Sequence, residues 1–345
     1  EFSERAFIND KMDLAQAEAV ADLIDATSIE AARSAVRSMQ GEFSALITHL
    51  VEDMIQTRIY VEAAIDFPEE EIDFLKDASL LARLDKLTND LSSVLSKAQQ
   101  GSLLRDGLTL VLAGKPNSGK SSLLNALAGN DVAIVTPVAG TTRDVLRERI
   151  ILEGLPLNII DTAGLRDTEN QIEREGVRRA WREIEAADQI LFLVDSTEGK
   201  TPDLKSVWPE FFERYPESKQ RLTLLLNKID ISGVSEGAVA GQQDVFGISA
   251  KEKTGFDGLV SHLKESAGFF GDSGGLFSAR RRHLASLEKA LELVTIGVDQ
   301  LQRTGAGELL AEDLRQAQNE LSEITGQFTS DDLLGRIFSS FCIGK

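Results

Sequence analysis

Residues 114–121 read Gly-Lys-Pro-Asn-Ser-Gly-Lys-Ser, a spacing suited to binding a nucleoside triphosphate. In such a loop the glycine-rich backbone wraps the phosphates, the lysine reaches the β- and γ-phosphates and the serine hydroxyl ligates Mg²⁺. An aliphatic run at 108–113 precedes the loop and predicts a strand, and a predicted helix follows it, which makes the pattern far more specific. The predicted phosphate contacts are Asn117, Ser118, Gly119, Lys120, Ser121 and Ser122, with Ser121 on Mg²⁺ and Lys120 also catalytic.

A second motif, D-T-A-G at 161–164, follows a predicted strand at 157–160. Ligands of open α/β sheets bind at the carboxyl ends of strands, so Asp161 is expected to hold the metal through water. Elsewhere D-x-x-G would be an ordinary turn. Between the two motifs, G-T-T-R-D at 140–144 predicts a loop over the γ-phosphate, with Thr142 as the second protein ligand of Mg²⁺ and as a catalytic residue. The nucleotide contacts predicted here are Thr141, Thr142, Asp161, Thr162, Ala163 and Gly164.

A third motif, N-K-I-D at 227–230, indicates which base is bound. It follows a predicted strand at 222–226, and the carboxylate of Asp230 can accept two hydrogen bonds, from N1 and the exocyclic amino group of guanine. Adenine lacks that pair of donors, so GTP and GDP are the expected ligands. S-A-K at 249–251 is expected to complete the pocket. The predicted base-site residues are Asn227, Lys228, Asp230, Ser249, Ala250 and Lys251.

The periodicity around these motifs predicts the elements that position them. Short aliphatic runs alternating with amphipathic helices predict a parallel sheet covered on both faces. Leucine-rich helical patterns occupy both ends of the chain and indicate core packing. The predicted fold is therefore an α/β P-loop GTPase domain, Ras-like, inserted into an all-α domain. We expect domains at 1–103 (helical, first part), 104–270 (GTPase) and 271–345 (helical, second part), with a glycine-rich linker at 268–275.

Composition narrows the functional class. The formal net charge of −19 argues against a broad nucleic-acid surface, so any contact with RNA is expected to be local or delegated to a partner. A single cysteine excludes an intramolecular disulfide. No apolar run of membrane-spanning length and no leader pattern are visible. We expect a cytoplasmic location and no membrane contact.

The motif set resembles the MnmE (TrmE) family of tRNA-modification GTPases. The resemblance extends to N-D-K-M-D-L-A-Q-A-E-A at 9–19 and to the terminal F-C-I-G-K at 341–345, so it covers essentially the whole chain. It implies a homodimer that meets through its G domains, and an FAD-dependent partner, MnmG. The implied function is modification of wobble uridine at C5 with aminomethyl or carboxymethylaminomethyl groups in tRNA, using a folate one-carbon donor.

The resemblance also implies catalytic details. Leu165 stands where Ras-like enzymes have a glutamine, and the family uses K⁺ in place of an arginine finger. By resemblance, Asn117 ligates K⁺ with groups of the loop at Thr136, Val138 and Thr141, and Glu173 orients the attacking water. Folate would contact Lys11 and Lys345, although most of its site is expected in an N-terminal domain that precedes Glu1 in the family. Cys342 is either tied to the modification chemistry or a small packed hydrophobic residue.

Two other interpretations share these motifs. A GTP-switch protein of ribosome assembly would carry the same nucleotide site, but it should bring a basic RNA-binding domain that this acidic chain does not suggest. A helical scaffold with a vestigial nucleotide site is disfavoured because Lys120, Ser121, Asp161 and Asp230 are all intact.

Overall fold

The computed structural model describes residues 2–66, 78–129, 146–161, 171–198, 204–216, 221–239, 244–269 and 275–326. In chain order the elements are α1 (Phe2–Ile8), α2 (Leu14–Ile24), α3 (Ile29–Met39), α4 (Glu42–Asp66), α5 (Ala78–Asp106), β1 (Leu108–Gly114), α6 (Lys120–Ala128), β2 (Leu146–Leu152), β3 (Leu155–Asp161), α7 (Gln171–Ala186), β4 (Gln189–Asp195), α8 (Leu204–Val207), α9 (Pro209–Arg214), β5 (Leu222–Asn227), α10 (Ile229–Ser232), β6 (Gly237–Ala238), β7 (Val245–Ile248), α11 (Phe256–Ser266), α12 (Arg281–Thr304) and α13 (Gly307–Thr325).

The chain forms two compact units. The helical unit combines Glu1–Arg105 with Ser273–Lys345, and the sheet unit comprises Asp106–Asp272. The α/β unit is therefore inserted into an all-α unit built from both ends of the chain. Residues 270–274, most of the predicted linker, lie outside the described part of the chain.

The leucine stripes form the core of the helical unit, as their spacing predicts. Asp13 begins α2 with a capping box, in which its carboxylate accepts from the Gln16 amide at 2.9 Å and the Gln16 side chain accepts from the Asp13 amide at 3.0 Å. The longest helices contribute most of the buried apolar residues, among them Leu50, Met54, Leu84, Leu87, Leu287, Val294, Leu314 and Leu321.

The leucine pattern predicts a helix that ends near Gln100, because Gly101 follows it, but Gly101 lies inside α5. A Cβ at this position would lie 1.8 Å from the backbone oxygen of Phe277. Glycine is therefore required here for a close approach of two backbones within the helical unit. The helical pattern consequently continues to Asp106, immediately before the first strand of the sheet unit.

Two buried carboxylates of α2 are paired with residues at the start of α12. Arg282 binds Glu18 through two nitrogen atoms, Nε at 3.0 Å from Oε1 and Nη2 at 2.7 Å from Oε2. The second carboxylate, Asp22, receives hydrogen bonds from Arg280, Arg105 and the Ser278 hydroxyl. This polar cluster ties three segments of the helical unit together.

The sheet unit contains seven strands in the order β2-β3-β1-β4-β5-β7-β6. The five central strands run parallel, as predicted, whereas β2 and β6 pair antiparallel with β3 and β7. The sequence did not predict β2, because its charged residues interrupt the apolar pattern. A tight turn with positive φ at Glu153 and Gly154 joins β2 to β3, as the right-handed twist of a hairpin requires.

The parallel order brings the carboxyl ends of β1, β3, β4 and β5 to one edge of the sheet. Register pairs Leu112 of β1 with Asp161 of β3, and Asp195 of β4 with Asn227 of β5. Every motif identified by its position after a strand therefore faces the same edge. Among the described residues, no helix is both long and apolar enough to cross a membrane.

Candidate nucleotide-binding site

The phosphate-binding loop connects β1 to α6, and its lysine folds back over it. The ammonium of Lys120 donates to the backbone oxygens of Gly114 at 2.9 Å and Lys115 at 3.0 Å. Asn117 is exposed and has a φ of 62°, while Ser118 is 2% exposed. Ser121 and Ser122 begin α6 with exposed side chains. The loop thus has the conformation that presents backbone N–H groups and a helix N-terminus to an anion.

Gly119 is one position of this loop that requires glycine. It has a φ of 102°, and a Cβ here would lie 2.1 Å from the side-chain nitrogen of Asn227. Both the left-handed conformation and the close approach require glycine. The phosphate loop is therefore built against the base-recognition motif.

Lys120 and Asp161 are half-buried, and the attraction between their charges offsets only part of the cost of burying them. Burial lowers the pKa of Lys120 and raises the pKa of Asp161, and the attraction between the two charges opposes each shift. Oδ1 of Asp161 and the hydroxyl of Ser118 are buried without a hydrogen-bond partner in the described structure. An unpaired carboxylate oxygen is a suitable acceptor for metal-bound water, and a desolvated lysine suits a phosphate. These residues fit a bound Mg²⁺–nucleotide.

Asn227 joins the phosphate loop to the last motif. Its side chain, 2% exposed, donates to the backbone oxygen of Ser118 at 2.7 Å and accepts from the Ala250 amide at 3.1 Å. Ser196 donates from its hydroxyl to the Asn227 backbone oxygen at 2.6 Å. One buried amide therefore fixes two loops that are distant in sequence.

Asp230 and Ser249 lie together, as the motifs predicted. The buried hydroxyl of Ser249 donates to Oδ1 of Asp230 at 2.7 Å and accepts from the Glu252 amide at 3.1 Å. The Asp230 carboxylate is exposed. Lys251 is exposed as well and pairs with Glu252. The serine thus orients the carboxylate while leaving its other oxygen open to a ligand.

Sequence reasoning missed Asp195 at the end of β4. Its Oδ2 binds the ammonium of Lys228, and its Oδ1 accepts from the Thr197 amide and hydroxyl. Hydrogen bonds from Lys228 and then Thr197 lower the pKa of Asp195 to about 2. The sequence does contain an indication of this residue. Asp195-Ser196-Thr197 is a polar run at the end of a buried strand, and the other motifs occupy the same kind of position.

Several predicted site residues lie outside the described part of the chain. Glu173 falls within α7, but only its backbone is described. Lys11 is exposed between α1 and α2 of the helical unit, where its amide donates to the Ala6 backbone oxygen. The residues not described are Thr136, Val138, Thr141, Thr142, Thr162, Ala163, Gly164, Cys342 and Lys345.

The chain is similar to known proteins along most of its length. A family model described as the MnmE helical domain matches residues 14–342. A tRNA modification GTPase MnmE from Pseudoalteromonas atlantica is 60% identical over 346 aligned positions, covering 100% of this chain and 75% of that protein. The chain belongs to the MnmE family of tRNA modification GTPases.

A second MnmE relative, from Photobacterium profundum, is 58% identical and is covered over 76% of its length. The family resemblance drawn from the motifs and the prediction of a GTPase of tRNA modification are thereby confirmed. Among solved structures, the G domain of the T. maritima FeoB iron transporter matches at 24% identity, with a TM-score of 0.35, over 46% of this chain and 98% of that domain.

Proposed function

We propose that this MnmE-family chain is a K⁺-stimulated, Mg²⁺-dependent GTP hydrolase that serves tRNA wobble-uridine modification. The observation that carries the proposal is the Asn227 amide, which holds the phosphate loop at Ser118 and the base loop at Ala250 at once. A nucleotide that fits between these loops is bound by its phosphates and its base together. The descriptions of the relatives as tRNA modification GTPases supply the biological context.

The phosphate half of the site binds the triphosphate and holds its metal. Lys120 would exchange its backbone acceptors for the β- and γ-phosphates, which relieves its desolvation. Ser121 and Thr142 would ligate Mg²⁺ directly, and the unpaired oxygen of Asp161 would hold it through water. When bound, Mg²⁺ neutralises charge on the phosphate oxygens. Residues 162–164 are proposed to contact the γ-phosphate.

The base half selects guanine. Asp230 presents a carboxylate already oriented by Ser249, so it can accept from both guanine donors without losing further side-chain entropy. Adenine has an unprotonated ring nitrogen at N1, which is a hydrogen-bond acceptor where the carboxylate needs a donor. The site therefore prefers GTP over ATP.

Leu165 cannot orient the attacking water as a glutamine would, and hydrolysis also needs positive charge in the transition state. Following the family pattern, Asn117 would ligate K⁺ with groups at Thr136, Val138 and Thr141, and Glu173 would orient the attacking water. Positive charge beside the β/γ bridge stabilises the transition state. Asn117 supports this role by its exposed side chain at the tip of the phosphate loop.

Partners and location are further parts of the proposal, supported by family membership. They comprise a homodimer formed through the G domains, the FAD-dependent partner MnmG, and tRNA bound mainly through that complex. A folate donor contacting Lys11 and Lys345 and a cytoplasmic location stay predictions.

The test compares GTP hydrolysis in KCl and NaCl at equal ionic strength. We expect faster phosphate release in KCl, and Asn117→Ala should lose most of this stimulation while retaining GDP binding. Asn125→Ala is the matched control, because Asn125 is an exposed asparagine on α6. Equal rates in the two salts would refute the proposed role of K⁺. No hydrolysis in either salt would refute the proposal that this chain is a GTP hydrolase.

A further inference from the structure

We propose that Asp195 is a positioning residue for base recognition, which tethers Lys228 and thereby keeps the guanine-binding carboxylate of Asp230 from forming an ion pair with that lysine. This inference rests on the proposed guanine site and adds a specificity-determining residue outside its four motifs.

Asp195 ends β4 directly beside the end of β5. The two strands pair in register, with Asp195 opposite Asn227, so Lys228 is the first residue beyond the paired ladder. Its φ of 67° is left-handed, an uncommon conformation for a residue with a side chain. This turn sends the lysine back toward β4, and its ammonium reaches Oδ2 of Asp195.

Both carboxylate oxygens of Asp195 accept hydrogen bonds, so the orientation of this side chain is fixed. Oδ1 accepts from the Thr197 amide at 3.0 Å and the Thr197 hydroxyl at 2.6 Å, leaving Oδ2 for the lysine. The carboxylate is 16% exposed and the Lys228 side chain 33% exposed. A partly buried, charge-assisted hydrogen bond of this kind is stronger than a bond between neutral groups.

Lys228 has a second carboxylate close to it in the chain, Asp230, two residues further on. A lysine has a flexible four-carbon stem and a compact charge, so without Asp195 its ammonium would pair with Asp230. The ion pair in the structure is instead with Asp195, and the hydrogen bond of Asp230 comes from the neutral hydroxyl of Ser249. Asp230 thus keeps one oxygen open to the N–H donors of guanine.

The discriminating measurement is the ratio of affinities for GDP and IDP, determined by calorimetry. Hypoxanthine keeps the N1 donor of guanine but lacks the exocyclic amino group, so the ratio reports how well Asp230 accepts from that group. Asp195→Asn removes the charge while preserving an acceptor for Thr197. We expect it to lower the ratio and to weaken GDP binding by about tenfold.

The decisive variant is Asp195→Asn combined with Lys228→Met. Methionine keeps an unbranched apolar stem but has no ammonium to compete for Asp230. Because Lys228 is itself a predicted base-site residue, the double variant should bind both nucleotides more weakly but recover the GDP-to-IDP ratio of the unsubstituted protein. Any general loss of stability is common to the single and double variants and does not change this comparison. Asp195→Glu, which keeps the charge, should retain the ratio.

Glu153→Gln is the control, because it removes the partner of Lys264 in an ion pair elsewhere in the sheet unit and should leave both affinities unchanged. An unaltered ratio in Asp195→Asn, or a lowered ratio that Lys228→Met does not restore, would overturn the inference. If the unsubstituted protein binds neither GDP nor IDP, the proposed function fails and this inference fails with it.

Discussion

Asn227 donates a hydrogen bond from its side-chain amide to the backbone oxygen of Ser118 at 2.7 Å, across 109 residues of sequence. The phosphate loop and the base-recognition motif are therefore parts of one buried polar network. Gly119 allows this contact because it has no side chain in the space that the Asn227 amide occupies. We therefore expect substitutions in the base-recognition motif to change phosphate binding, and substitutions in the phosphate loop to change base binding.

Replacing Asn227 with alanine should weaken both binding and folding. The variant leaves the Ser118 carbonyl and the Ala250 amide without their partner, and each unpaired buried group costs about 1–3 kcal/mol. We expect GDP affinity to fall by about tenfold or more, together with a lower free energy of unfolding. Calorimetric titration and urea unfolding measure the two effects.

Asn158→Ala separates the two effects. Asn158 also bridges, donating to the Asp106 backbone oxygen at 2.6 Å and accepting from Arg149 at 3.1 Å, but these contacts involve none of the proposed site residues. This variant should lose stability while keeping its GDP affinity. Equal losses of affinity in both variants would show that Asn227 has no specific role in the site.

A methyl group at Gly119 should impair nucleotide binding more than stability. Gly119→Ala combines backbone strain of about 1–2 kcal/mol with a Cβ 2.1 Å from the Asn227 nitrogen. The matched control is Gly154→Ala, where φ is 86° but nothing lies within 4 Å of the new Cβ. Both variants should lose stability in thermal unfolding, and only Gly119→Ala should lose GDP affinity. Retained affinity in Gly119→Ala would contradict the contact described here.

The buried pair of Glu18 and His283 makes the helical unit sensitive to acid. Burial by itself raises the pKa of Glu18, but the hydrogen bonds of His283 and Arg282 outweigh it and lower that pKa to about 2 from 4.5. Nδ1 of His283 accepts from the Arg280 amide, so Nε2 carries the proton that it donates to Glu18 at 3.0 Å. Burial lowers the pKa of His283, in keeping with this neutral ring.

Both shifts give stability that is lost as the pH falls. The contribution of Glu18 is complete above its unfolded pKa of 4.5 and disappears as the pH approaches 2, which corresponds to about 3 kcal/mol. The lowered pKa of His283 adds a loss in the same direction below its ordinary value of 6.5. Glu18→Gln should therefore reduce the pH dependence of unfolding between pH 2 and 4.5, as followed by helical circular dichroism.

Glu312 provides the comparison for Glu18. Arg315 and Gln316 lower the pKa of Glu312 to about 2 as well, but this pair is on the surface and is screened by water. Glu312→Gln should leave the pH dependence nearly unchanged. A comparable effect of the two substitutions would show that burial does not determine the contribution of Glu18.

The sequence predicted which strand ends carry the motifs of the proposed site, because each motif follows a buried strand. Lys120, Asp161, Asn227 and Asp230 all come directly after or near a continuous apolar run, and a parallel sheet brings such positions to one edge. The contacts among them were not predictable. Asn227 binds Ser118 through a pairing of distant loops, and Asp195 belongs to no short motif, although it follows the same rule of position.

Two parts of the predicted fold were wrong or missing, the helix end near Gly101 and the strand β2. Gly101 reads as a helix end in sequence, and only the approach of Phe277 explains its place inside α5. The strand β2 carries charged residues and lies at the edge of the sheet, where half of its side chains can meet solvent. Its apolar signal is correspondingly weak.

The central claim is that this chain hydrolyses GTP and that Asp230 recognises the guanine base. The most direct measurement is phosphate release from GTP and from XTP, with the unsubstituted protein, Asp230→Asn and the exposed control Asp257→Asn. Xanthine presents an acceptor where guanine has its amino group, and an amide can donate to it. We predict that the unsubstituted protein and Asp257→Asn hydrolyse GTP in preference to XTP and that Asp230→Asn reverses this order. No release from GTP by the unsubstituted protein, or an unchanged preference in Asp230→Asn, would contradict the account.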